Sequence, residues 1–387
     1  MKTIALTALS LLLSLFLLPF ITLAQEDVPA PRRIGLMIEQ DGLVGKLNND
    51  QNYTMGLGIY FPQNDVGKLI LKGINLLRKD GKKYNFIQNS MGIANATFTP
   101  EYLGNNKIDS LNYMLNDRPF AGINYLSTVL TYGNDDTGNS FSTFGFNLGI
   151  IGTDFSQSMQ SYIHRKHWFG STRPIPVGWA NQISETKPVP TFLVYMRNNK
   201  LLLGKLSSED DKNNKGYFQL SQMYEGKFGY YVGASYGLNM RLGLLDKKNW
   251  ANDFFPLGES SGIIPVENPA NSTSEGKVPA VSLPTRNTRR ASDEIFFLGG
   301  IKPNVWLYNA FLMGQFNDDD FHTLSWKQMK KVTVDFNIGI GGQKRIYRNQ
   351  AISAAVTFSV RSPEFKTSDD KFTRWHKWAG IQIYYVY

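Results

Sequence analysis

From Tyr53 to Phe61 the chain alternates. Tyr53, Met55, Leu57, Ile59 and Phe61 are apolar, and Thr54, Gly56, Gly58 and Tyr60 fall between them. The same two-residue period returns in Phe144, Phe146, Leu148 and Ile150, in Val332 to Ile340, in Ala354 to Val360, and in Ile381, Ile383, Tyr385 and Tyr387. Successive side chains of a strand point to opposite faces, so each stretch predicts a strand with one greasy and one polar or small face. Weaker stretches lie near residues 34–40, 84–90, 123–132, 191–203, 216–225, 229–243 and 294–313, about 12 strands of roughly 9–11 residues in all. A sandwich would bury its apolar faces against each other. Here the second face carries Thr333, Asp335, Asn337, Ser353 and Thr357, the lining expected of a lumen. In hydrocarbon no strand edge can stay unpaired, so the sheet must close. The predicted fold is all-β, a closed antiparallel transmembrane barrel. Tyr53, Met55, Leu57, Ile59 and Phe61 are expected to face lipid and Thr54 to face inward.

One segment breaks the alternation. Asp154 stands where a helix cap would, with Gln157 at the capping-box position. Gln160, His164 and His167 follow at i, i+4 and i+7 and share one helical face, while Phe155, Met159 and Tyr162 lie on another. A short loop helix is predicted over residues 154–168. It holds two of the chain's four histidines, and its plainest reading is a loop helix with solvent-facing His. The polar stretches Ser207 to Gly216 and Glu267 to Asp293 read as long loops. The second carries Arg286, Arg289 and Arg290, most simply a solvated cluster.

The chain opens with Lys2, an apolar stretch from Ile4 to Leu23 and a Thr22-Leu23-Ala24 cleavage site, so residues 1–24 read as a signal peptide and 25–387 as the exported barrel domain. The absence of cysteine among 387 residues excludes a disulfide scaffold, a thiol nucleophile and a Cys-ligated zinc site. A net charge of +9 without a basic block suits anionic lipid headgroups and argues against nucleic acid. For chemistry, His164 and His167 have a weak zinc-pair spacing. The other acid–base option is a His-activated water beside a cation, with Asp41 as charged partner. Spacing alone does not bring Asp41 to His164.

Several segments in order resemble the lipid A 3′-O-deacylase family of outer-membrane proteins. Glu39-Gln40-Asp41 is similar to the family's Asn-Asp turn after strand one. The stretch Asp50 to Gly56 resembles its D-x-x-Y-T-x-G-L signature. Phe98-Thr99-Pro100-Glu101 resembles Y-T-P, and Asp117-Arg118-Pro119-Phe120-Ala121-Gly122 resembles D-R-P-[YF]-A-G. Gly149 to His164 is similar to the G-x-x-G…Q-x-x-x-H stretch, with Gln160 and His164 in register. Gly178-Trp179, Asn181-Gln182, Gly237 to Gly243, Tyr308-Asn309 and Ser362-Pro363-Glu364-Phe365 complete the set. Each motif alone is weak, but together they run through the whole mature chain.

The resemblance implies a 12-stranded barrel in the bacterial outer membrane, with a site between the barrel wall and a loop helix on the outer-leaflet side. It implies hydrolysis of the ester holding the 3′-acyloxyacyl group of lipid A, with dependence on calcium. Carried over by position, His164 is the base that activates water. Asp41 orients it or holds the metal, and Thr54 supports the site. Gln40 stands where the family has an oxyanion-donating Asn, and Lys107 is a cationic substrate contact. The implied partners are lipopolysaccharide and outer-membrane lipid, with a monomeric barrel expected.

One departure bears on activity. Gln40 keeps the amide donor of Asn but adds a methylene, a displacement of roughly 1.5 Å, which can cost on the order of 100-fold in rate. A rival reading is therefore a catalytically silent barrel of the same family with a structural or binding role. Two others are an outer-membrane phospholipase with a Ser–His site and a passive channel.

Overall fold

The computed structural model describes residues 33–44, 52–77, 84–101, 116–133, 139–167, 175–184, 187–205, 215–247, 250, 293–315, 320–347, 350–368 and 370–386. Among them run twelve strands: β1 (Arg33–Gln40), β2 (Asn52–Pro62), β3 (Asn85–Thr99), β4 (Ala121–Gly133), β5 (Ser140–Ile151), β6 (Val189–Leu203), β7 (Lys215–Gly229), β8 (Tyr231–Asp246), β9 (Glu294–Asn309), β10 (Val332–Tyr347), β11 (Gln350–Arg361) and β12 (His376–Val386). Each pairs antiparallel with its neighbours in sequence, and β1 pairs with β12 to close the barrel. Residues 1–24, Lys107, Arg286, Arg289, Arg290 and Tyr387 lie outside the described residues.

Alternation maps onto the wall as expected over most of the sheet. Ile338, Ile340, Val356, Ile352 and Ile383 are exposed on the outside, while Thr333, Asp335, Thr357 and Gln382 are buried in the lumen. An exposed apolar belt of this kind is stable only against hydrocarbon. The lumen is filled, not open. Tyr60, Tyr195, Tyr230, Tyr384 and Arg197 are all fully buried, which leaves little for the channel reading.

Strand β2 departs from the expectation. Register shifts between Tyr53 and Met55, so Thr54 is an extra residue: Tyr53 lies opposite Phe98, and Met55 lies opposite Thr97. Such a bulge interrupts alternation. Tyr53 therefore points into the lumen, donating a hydrogen bond to Glu39 and meeting the Trp378 ring edge-on at 5.6 Å. Leu57 and Ile59 keep the outward face, but Tyr53 does not face lipid. The stretch expected as one strand over 294–313 also divides. Asn309 accepts a hydrogen bond from the Phe311 amide and caps a single helical turn, Ala310–Met313.

The two longer helices lie in connections. Helix α1 (Asn64–Leu77), absent from the sequence reading, joins β2 to β3. Helix α2 (Phe155–Arg165) follows β5 as predicted, although the Asp154 side chain makes no cap bond. His167 has a left-handed φ of 52° and lies past the helix end, exposed, so it does not share the face of Gln160 and His164.

At the end bearing α2 a charged network plugs the barrel. Arg118, fully buried, donates to Glu364 at 3.4 Å and stacks over Phe98 at 4.6 Å. Glu364 also accepts from Arg361 at 3.1 Å, and Arg361 grips Asp335 with two bonds of 2.6 and 2.7 Å. Asp117 takes two bonds from Arg374 at 2.8 and 2.7 Å. The D-R-P and S-P-E-F segments thus join the β3–β4 and β11–β12 connections to each other.

Candidate active site on the outer wall

Ile93 on β3 is exposed on the lipid side, opposite Ile59 of β2 and Leu126 of β4. Residues two apart share a face, so Asn95, Thr97 and Thr99 of β3 and Gly122 and Asn124 of β4 also lie on the outer wall. They are nevertheless buried or half-buried, because α2 covers them. Asn95 and Thr97 both donate to Ser156 Oγ of α2, at 3.1 and 2.9 Å. Asn124 donates to Thr153 Oγ1 at 2.5 Å. Gly122 makes the close approach possible, since a Cβ there would sit 2.2 Å from Ser156 Oγ.

Helix α2 is amphipathic in the reverse of the usual sense. Ser156, Gln160, Ser161 and His164 are buried, and the first, second and last of these, each four residues on, form the stripe against the wall. Phe155 and Tyr162, 45% and 48% exposed, point away from it. A soluble helix hides its apolar stripe. One lying in a membrane against a polar cleft does the opposite. Gln160 is held by the indole of Trp179, whose Nε1 donates to Oε1 at 2.8 Å. Trp179 itself is fully buried in the short turn Gly178–Asn181 and packs on Phe120 at 5.0 Å.

The same outer wall carries Gln40 and Thr54. Gln40 ends β1 on the face of Leu36 and Ile38, opposite Met55 and Ala379, and is buried. A tight turn, Asp41–Leu43, begins at once, so the ladder breaks after Gln40. Asp41 is buried at the head of that turn. Thr54 shares a hydroxyl hydrogen bond of 2.5 Å with Thr99. That places Thr54 on the outer face with Asn95 and Thr97, not inward as its alternation predicts. The bulge is the cause: Thr54 and Met55 stand together on one side. Gln40, Thr54 and the His164-bearing face of α2 therefore belong to one side of the wall. Lys107 lies outside the described residues.

Burial also shapes the loops behind this wall. His322 sits in the β9–β10 connection, where Nε2–H donates to the Asp117 carbonyl at 2.8 Å; its pKa is lowered, chiefly by burial, although the bond to Asp117 opposes this. Arg118 is likewise lowered by burial, with Glu364 opposing.

The donors near Gln40 suit a hard cation. Gln40 Oε1 is buried without a hydrogen-bond partner among the described residues, the next residue Asp41 is buried as well, and both carry oxygen ligands of the kind calcium takes. No cluster of three or more His, Cys, Asp or Glu able to hold a metal occurs among the described residues, which leaves the zinc reading of His164 and His167 without support there.

Sequence reasoning missed Ser156, Asn95 and Thr97, and met Trp179 only as part of the Gly178-Trp179 match, with no role given to it. The pattern hinted at them only through polar residues interrupting the apolar face of β3. A G-x-S-x-G spacing, Gly258 to Gly262, falls outside the described residues.

A closed twelve-stranded barrel with an apolar outer belt and a loop helix sealing a polar cleft on that belt defines an outer-membrane protein with a wall-side site. The chain belongs to the family described as outer membrane protein LpxR, whose model matches residues 8–387. The resemblance read from the ordered motifs is borne out, as is localisation in the outer membrane. Among solved structures, LpxR from Salmonella typhimurium is 15% identical, covers 91% of this chain and 99% of its own, and superposes with a TM-score of 0.62. The β domain of the Bordetella autotransporter BrkA is 10% identical, with 93% and 99% covered and a TM-score of 0.36. No curated protein sequence matches the chain.

Proposed function

We propose that this protein is a lipid A deacylase that hydrolyses the 3′-linked acyloxyacyl ester at the cleft between α2 and the outer wall. The observation that carries this reading is the reversed amphipathicity of α2. A polar, His-bearing face is sealed against β3 and β4, and Phe155 and Tyr162 turn toward lipid. A substrate that never leaves the bilayer meets such a site laterally, with its acyl chains along the apolar rim and its ester at the polar seam.

His164 takes a proton from water, and the oxygen attacks the ester carbonyl carbon. The bond between that carbonyl carbon and the sugar's 3′-oxygen then breaks, and the same imidazole returns the proton to the departing 3′-oxygen. The products are the free acyloxyacyl acid and lipid A with a 3′-hydroxyl. Asp41 holds the ring in orientation, and Thr54, tied to Thr99, fixes the bulge between Asp41 and the helix. The Gln40 amide N–H groups donate to the carbonyl oxygen as it gains charge, a contribution that preorganised donors make efficiently. Gln40 Oε1 and Asp41 would hold calcium, which when bound supplies positive charge beside that oxygen. Lys107 is assigned to the lipid A phosphate.

The test is the mass spectrum of lipid A from cells expressing the wild-type chain and His164→Ala. Loss of the 3′-acyloxyacyl mass with the first and its retention with the second support the reading. Identical intact spectra would favour the silent barrel that Gln40 raises as an alternative. Identical deacylated spectra would remove His164 from the mechanism.

A further inference from the structure

The second helix of the outer wall, α1, has three faces. Leu71, Ile70 and Ile74 pack on Leu130, Tyr132, Tyr84 and Phe144. Leu130 is on the same face of β4 as Leu126, so α1 lies outside the barrel, on the strands that also carry α2. Its attachment is built: Asn89 donates to the Gln63 carbonyl at 2.8 Å before the helix, and Asn75 exchanges two bonds with the Tyr84 backbone at 2.8 and 3.3 Å near its end. The flank beside the packed face is apolar and bare among the described residues, with Leu69, Leu76 and Leu77 at 72%, 78% and 83% exposed. Asp65, Lys68 and Lys72 form a narrow exposed polar stripe on the remaining arc.

Water would leave three leucines unsatisfied on a helix whose other apolar side chains are already covered. The position says what covers them. Asn124, beside the α2 attachment, and Leu130, under α1, are six residues apart on β4. That is about 20 Å along the strand and about 15 Å along the membrane normal at a tilt of about 40°. The apolar band of such barrels is about 25 Å tall, so it overlaps both helices. The bare flank of α1 is continuous with the lipid-facing belt of the wall.

We propose that α1 is an in-plane membrane helix in the leaflet opposite α2, with Leu69, Leu76 and Leu77 among acyl chains and Lys68 and Lys72 on the phosphates of anionic phospholipids. Long lysine stems beside apolar side chains reach headgroups in this way. The helix anchors β3 and β4, the strands under α2, at a set depth in the bilayer.

The chain has no cysteine, so a single introduced thiol takes a spin label cleanly. The full barrel carrying Leu69→Cys, Leu76→Cys or Lys72→Cys is reconstituted in phosphatidylcholine vesicles, with Ile338→Cys as a belt control. Labels at 69 and 76 should be several-fold more accessible to oxygen than to an aqueous nickel chelate, as at 338, with the order reversed at 72. Adding phosphatidylglycerol should deepen the label at 76, and Lys68→Glu/Lys72→Glu should abolish that shift. Ready access of the chelate to 76 while 338 stays in hydrocarbon would overturn the membrane assignment. Spin–spin broadening at 76 with both reagents excluded would overturn it in favour of a second copy of the chain. Depth indifferent to phosphatidylglycerol would overturn the headgroup role.

Discussion

Trp179 Nε1 donates to Gln160 Oε1 at 2.8 Å, and both residues are buried. The bond joins a loop turn to α2 one helical turn before His164, on the same face. The position of the proposed base along the wall therefore depends on a residue 15 positions beyond it in sequence.

Gln160→Ala should slow deacylation on the order of 100-fold through misplacement of His164. It should also destabilise the loop end by about 1–3 kcal/mol, because the buried indole N–H loses its acceptor. Deacylation kinetics on purified lipid A, beside thermal unfolding in detergent, check both. Unchanged kinetics would show that the helix holds His164 without this bond.

Gln40→Asn should preserve or raise the deacylation rate, since it restores the donor reach for which the family's Asn stands. The comparison is made at saturating substrate, where an oxyanion contact is felt in kcat. A rate unmoved by both Gln40→Asn and Gln40→Ala would leave Gln40 a wall residue only.

Glu364→Gln should weaken the barrel plug strongly. The carboxylate accepts from Arg118 and Arg361 and lies 3.5 Å from His376, all of them buried. Removing one charge of a buried set typically costs about 3–5 kcal/mol. Because the network faces the lumen and not the cleft, the variant should lose unfolding temperature before it loses catalysis. The heat at which its compact form gives way in electrophoresis is a direct measure.

His322 should give the loop end an acid sensitivity. Its pKa in the fold lies below the ordinary 6.5, chiefly through burial. As pH falls through about 6.5 the unfolded chain takes the proton first, so stability is present above that value and declines toward the lowered folded pKa. Thermal unfolding followed from pH 8 to pH 5 should show this decline in the wild type and a shallower one in His322→Gln. Parallel curves would assign the sensitivity elsewhere.

Alternation alone was enough to predict a closed barrel of about 12 strands, because a lipid-facing side chain must be apolar and its neighbour must not. The same reasoning placed the outward faces of β5, β10, β11 and β12. The period-2 rule fails at Thr54, where one added residue turns Tyr53 into the lumen and sets Thr54 against Thr99. Nothing in a local pattern marks that bulge. Helix α1 was not read from the sequence, although its apolar residues share one broad arc; only the structure shows that this arc serves two environments, the wall under Leu71 and the bare flank of Leu69, Leu76 and Leu77. The ordered motifs named the family, yet they mix two physical roles. Asp117, Arg118 and Glu364 close the lumen, while Gln160 and His164 line the outer cleft. Arg118 and Glu364 are 246 residues apart in sequence, and only closure of β1 on β12 brings such pairs together. Which face of the strands the proposed site uses was likewise not legible in the alternation, which had turned Thr54 inward. A strand offers two faces, and it is the docking of Ser156 on Asn95 and Thr97 that makes the outer one polar, buried and able to host chemistry.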